Sequence, residues 1–164
     1  MTPVRMILLL VACACGTSVA QTTQPAREIQ LLAMGDWGSG NDKQRLVASA
    51  LADYASRQSV PIAAMLTAGD NFYNDMTSVD DPEWQKRFEQ MYDPVRLAFP
   101  FYATLGNHDY EKDEWKIQLA YPKAHPESRF KLPARWYRLD LPQDHPLVTI
   151  LMLDSNKSLM GDEK

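Results

Sequence analysis

The chain has 164 residues, 45% of them apolar and 23% charged, values of a globular domain that exclude wholesale disorder. A net charge of −4 supplies no general attraction to nucleic acid or anionic lipid. An anionic substrate would therefore need local positive charge, from metal or from a few basic groups.

Met1 to Arg5 carries one positive charge, Met6 to Cys15 is almost wholly apolar, and Ser18-Val19-Ala20 ends in small residues. That is the layout of a secretory signal peptide over residues 1–20, cleaved after Ala20, with an apolar run too short for a membrane span. The expected location is secreted or periplasmic. Leu10-Val11-Ala12-Cys13 also fits a bacterial lipoprotein box, an alternative in which Cys13 would carry lipid. Both cysteines, Cys13 and Cys15, lie in this segment, so the mature chain offers no disulfide, zinc thiolate or cysteine nucleophile. Any metal would rest on Asp, Glu, His, Asn or Tyr, which are mostly hard donors.

Residues 21–28 read as a polar tether. Ile29 to Met34 is a short apolar run ending at Gly35-Asp36. A helix follows, with Asn41 or Asp42 as N-cap and Leu46, Val47, Ala50, Leu51 and Tyr54 on one face. A second apolar run, Ile62 to Ala68, ends at Gly69-Asp70. The next helix has Asp81 as N-cap, Pro82 in its first position, and a stripe of Trp84, Phe88, Met91 and Tyr92. A third run, Phe99 to Leu105, ends at Gly106-Asn107. This strand–helix alternation predicts an α/β protein with right-handed parallel crossovers and helices on a sheet. Beyond it the spacing predicts a short helix over 114–121, a proline-punctuated loop over 122–133, and consecutive strands over 136–141 and 147–154.

Three strands thus end in glycine followed by a metal-capable side chain: Asp36, Asp70 and Asn107. In open parallel sheets, ligands bind beyond the carboxyl ends of the strands. Glycine before each ligand lets the backbone turn sharply and approach an ion. A single Asp or Asn at such a point would be an ordinary turn former; three in succession point to one metal site.

Gly35-Asp36-Trp37-Gly38, Gly69-Asp70-Asn71-Phe72-Tyr73 and Gly106-Asn107-His108-Asp109 resemble the first three motifs of the calcineurin-like metallophosphoesterases. They are most similar to those of the tartrate-resistant purple acid phosphatases. The resemblance runs from about Ile29 to Ser155 and implies a β-sandwich flanked by helices (αββα layers), incomplete in this chain. Residues 29–164 would be the amino-terminal part of such a domain. Most members carry a histidine ligand where this chain has Gly38; purple acid phosphatases use a tyrosine where Tyr73 stands.

The resemblance implies that Asp36 and Tyr73 bind iron(III), that Asp70 bridges it to a divalent iron, zinc or manganese, and that Asn107 binds the divalent ion. His108 would donate to the substrate phosphate and act as acid toward the leaving group, with Asp109 orienting it. The implied activity is acid phosphatase, the hydrolysis of phosphate monoesters by metal-bound hydroxide, on a small phosphorylated substrate. A related phosphodiesterase or nucleotidase is the alternative within the class. The family pattern continues with a Gly-His pair and a Gly-His-x-His segment that this sequence lacks, so a catalytically incomplete fragment is a further alternative. His125 and His145 sit before prolines in loops, and Asp154 reads as a turn former. Asn156-Lys157-Ser158 is a glycosylation sequon in a eukaryotic setting.

Overall fold

The computed structural model describes residues 28–73 and 76–156. The expected signal peptide, the lipoprotein box and most of the tether lie outside them. Among the described residues, no helix is long and apolar enough to cross a membrane.

Strands β1 (Gln30–Met34), β2 (Ile62–Thr67), β3 (Phe101–Ala103) and β4 (Phe130–Lys131) form one parallel sheet in that order. Strands β5 (Tyr137–Leu141) and β6 (Val148–Met152) form an antiparallel hairpin. Alternation along the parallel strands gives each face its own core. Leu32, Met34, Met65, Phe101 and Ala103 point to the helical side, where Trp37, Phe72, Trp84, Phe88, Tyr92 and Phe130 build an aromatic core. Leu31, Ala64, Leu66 and Tyr102 point the other way and meet Leu139, Leu141, Val148 and Ile150 of the hairpin. The result is helices on sheet on sheet, the expected layering. The outer side of the hairpin region exposes Leu147, Leu151 and Leu153.

Helix α1 (Asp42–Ala55) starts as its sequence predicts: Asn41 is the N-cap, and its side chain accepts from Gln44 N. Its buried face differs from the predicted one. Gln44, Ala48 and Ala52 are buried, whereas Leu46, Val47 and Tyr54 are exposed. Alanines let the helix axis approach the sheet closely. Gln44 is satisfied inside by donating to Arg87 O and Tyr92 Oη, at 2.8 and 3.3 Å. Leu51 alone of the predicted stripe packs at the core's edge.

Asp81 caps the second helical segment, accepting from Glu83 N at 2.9 Å. That segment passes into a π-helical turn at Gln85–Glu89, and Trp84, Phe88 and Tyr92 are buried as predicted. A 3₁₀ segment, His108–Asp113, leads into helix α2 (Glu114–Ala124). Helix α2 runs through Pro122 rather than stopping at Tyr121. Near a helix end, proline removes only one bond, and His125 N still reaches Tyr121 O at 2.8 Å. The predicted 122–133 loop also holds β4, which pairs Phe130 with Phe101.

Candidate metal centre

The loops beyond β1, β2 and β3 lie backbone against backbone. Asp36 N donates to Gly69 O at 3.2 Å and Trp37 N to Asp70 O at 3.3 Å, extending the ladder past the strands. A Cβ on Gly69 would stand 2.6 Å from Gly106 N, and one on Gly106 would stand 2.1 Å from Asp70 Oδ1. These glycines are required by contact. Asp36 (φ 54°) and Asp70 (φ 50°) both adopt the left-handed conformation. It costs most residues about 1–2 kcal/mol, and Asp tolerates it better than most.

This turn aims both carboxylates at Tyr73. Its Oη donates to Asp36 Oδ1 at 2.8 Å and lies 3.4 Å from Asp70 Oδ2. Loss of water around the phenol, then the bond to Asp36 and the two negative charges, pushes its pKa well above the ordinary tyrosine value. The other oxygen of Asp70 accepts from His108 N at 3.1 Å. The His108 ring lies beside the Tyr73 ring, with centroids 4.8 Å apart. Asp36, Asp70, Tyr73 and His108 are therefore brought together. Asn107 follows Gly106 with its side chain exposed.

Asp109 takes a different place from the expected one. It does not orient His108; it is fully buried and accepts from Gly106 N (2.7 Å), Asn71 N (2.9 Å), Phe72 N (3.3 Å) and Gln118 Nε2 (2.8 Å). Burial pushes its carboxyl up to about 6 against the opposing pull of these donors. The partner of His108 is Glu111, whose Oε1 lies 3.1 Å from Nδ1. Its only sequence signal is the three-residue spacing.

Asn71, absent from the predicted site, is the hub beneath it. Its Oδ1 accepts from Trp37 Nε1 and Thr67 Oγ1, both at 2.9 Å. Its amide donates to Thr104 O at 2.7 Å and Gln118 Oε1 at 3.1 Å, which completes the hydrogen-bonding capacity of an Asn side chain. Arg87 Nη1 donates to Gly38 O at 2.9 Å while its Nε pairs with Glu83 at 2.6 Å, pinning the first loop. The loop after β3 is tied to the hairpin: Tyr110 Oη donates to Asp154, and Asn156 Nδ2 donates to Leu105 O at 3.0 Å. His125 bonds Val79 O at 3.1 Å, and His145 is exposed in the hairpin turn.

Two carboxylates and a phenol make a hard, oxygen-rich donor set. The phenolic oxygen lies 2.8 Å from Asp36 Oδ1 and 3.4 Å from Asp70 Oδ2, so the three oxygen donors fit a small, highly charged cation. Among the described residues, no three His, Cys, Asp or Glu side chains gather for a metal; the third donor here is Tyr73.

Two carboxylates and a phenol across the carboxyl edge of a parallel sheet, with a second sheet behind, belong to a layered α/β protein. The profile of the calcineurin-like phosphoesterases matches residues 29–152, and the chain belongs to that family. Tartrate-resistant acid phosphatase type 5 of Sus scrofa is 31% identical over 150 residues, covering 87% of this chain and 43% of the pig protein. Purple acid phosphatase 3 of Arabidopsis thaliana is 32% identical over 114 residues, covering 66% of this chain and 31% of that protein. The chain spans less than half the length of the curated relatives it matches. The solved structure titled "GAP50 the anchor in the inner membrane complex of Plasmodium" matches with a TM-score of 0.59 at 22% identity, over 68% of this chain and 36% of that one. That is a likeness of fold.

Proposed function

We propose that the protein hydrolyses phosphate monoesters at acid pH, with these residues supplying one side of a two-metal centre. The observation that carries this reading is Tyr73 Oη set against both Asp36 and Asp70, on a chain whose Gly38 offers no side chain. Asp36, Tyr73 and Asp70 would hold iron(III), and Asp70 with Asn107 would hold a divalent iron, zinc or manganese ion. When bound, two such cations neutralise phosphate charge and make water more acidic.

The chain's own residues do the rest. Asp70 has one oxygen toward Tyr73 and one bonded to His108 N, so its carboxylate fixes both neighbours. His108 would donate to a phosphate oxygen and give its proton to the departing alcohol. Asn71 and Asp109 keep the loops rigid beneath, which limits reorganisation as charge develops. The substrate is a small phosphorylated molecule. We further propose a secreted or periplasmic location, from the signal-peptide layout of residues 1–20.

The test is to load the purified chain with iron and zinc, measure bound metal and visible absorption, and compare hydrolysis of p-nitrophenyl phosphate with its bis-ester at acid pH. Iron should bind with a phenolate charge-transfer band that Tyr73→Phe removes, and the monoester should be preferred. A colourless iron complex, or preference for the diester, would overturn the proposal.

A further inference from the structure

Building on the phosphoester reading above, we propose that Glu111 is a positioning residue for His108, gripping Nδ1 and leaving Nε2 as the nitrogen that meets the substrate. In a 3₁₀ segment, side chains three residues apart eclipse one another, and His108 and Glu111 stand in that relation. Their Nδ1 and Oε1 atoms are 3.1 Å apart. The chain leaves the helical path just there: Glu111 has ψ 132°, and Lys112 and Asp113 follow with φ of 53° and 63°. Two successive non-glycine residues in the left-handed region are uncommon, and such conformations concentrate at functional sites.

Two contacts place the ring: it lies tilted against Tyr73, and its Nδ1 meets Glu111, while the backbone N of the same residue donates to Asp70. Asp109, the neighbouring carboxylate, is turned inward and occupied by the N–H groups of Gly106, Asn71, Phe72 and Gln118. An ionised carboxylate only accepts, so Glu111 keeps a hydrogen on Nδ1. With Nδ1 so engaged, Nε2 is the ring nitrogen left to face the leaving oxygen. The hydrogen bond made by one ring nitrogen sets the state of the other.

The test uses the full chain, metal-free, with ¹⁵N-labelled histidine and long-range ¹H–¹⁵N correlation at a pH where imidazole is neutral. The sequence has three histidines, so His108 is identified by substitution. We expect the Nδ1–H tautomer in the parent chain and in Glu111→Gln, whose amide oxygen still accepts. Glu111→Ala should shift His108 toward the Nε2–H form that free imidazole favours. An Nε2–H ring in the parent, or no change in Glu111→Ala, would overturn the proposal.

With metal and p-nitrophenyl phosphate, Glu111→Ala should lower kcat about two- to fivefold at unchanged KM, the size expected of an exposed pair. It should have no further effect when His108 is already Ala; an equal loss in that background would also overturn the proposal. If the parent chain turns nothing over, the phosphatase reading fails, and the tautomer measurement still decides the role of Glu111.

Discussion

A Cβ at Gly38 would lie 1.7 Å from the carbonyl oxygen of Asn71, so the first and second loops leave no space there for any side chain. By the family resemblance most metallophosphoesterases carry a histidine at this position; here backbone fills it, and Tyr73 reaches Asp36 and Asp70 from the neighbouring loop.

Gly38→His should therefore not restore a ligand. It should separate the loops and lower stability by about 3 kcal/mol or more, at the high end for overpacking. Gly38→Ala should already be costly, because the obstruction is rigid backbone. Urea unfolding measures both, and a Gly38→His chain with the parent's midpoint would refute the steric argument.

Asp109→Asn places an amide NH₂ among N–H donors. Leaving such donors unmet costs about 1–3 kcal/mol, read as a lower urea midpoint. The pH dependence has a defined sign. With its carboxyl near 6 in the fold and near 3.9 when unfolded, Asp109 keeps its proton longer in the native state. Its contribution is thus present in full below about pH 4 and lost as pH rises toward 6. In chelator, that fall in stability should be absent from Asp109→Asn.

On α1 the exposed and buried positions should respond in opposite ways. Leu46 is 71% exposed and Ala52 is 0% exposed. Leu46→Ser should change stability by less than about 0.5 kcal/mol. Ala52→Leu should cost about 1–3 kcal/mol by overpacking the sheet contact. Thermal or urea unfolding of the pair distinguishes this face from the one its leucines suggest.

At Asp36 the backbone predicts an inverted ranking. Both Asp36→Gly and Asp36→Ala lose the bond from Tyr73, but only glycine sits without strain at a φ of 54°. The glycine variant should exceed the alanine variant by about 1 kcal/mol; equal midpoints would contradict the left-handed assignment.

The strand ends and the caps were legible because each has a local cause: Gly-Asp at two strand ends and Gly-Asn at a third, Asn41 beside α1, and Asp81 before Pro82. The buried face of α1 was not, because close packing selected Ala48 and Ala52 over larger apolar neighbours, and Gln44 is buried through distant partners. The two-residue β4 carries too short a pattern for periodicity to detect. At the candidate site, Tyr73 and His108 came from the family resemblance, whereas Asp36 and Asp70 could be chosen by type and place at strand ends. The roles of Asp109 and Asn71 could not, because they depend on contacts 33–47 positions away along the chain.

The ties from Asn156 to Leu105 and from Asp154 to Tyr110 span 51 and 44 positions of sequence. As the chain is synthesised, Asp36, Asp70 and Tyr73 can meet long before the loop bearing Asn107 and His108 is anchored. An ion captured early would thus encounter the aspartates and phenol first, and the completed hairpin would fasten the remaining loop later.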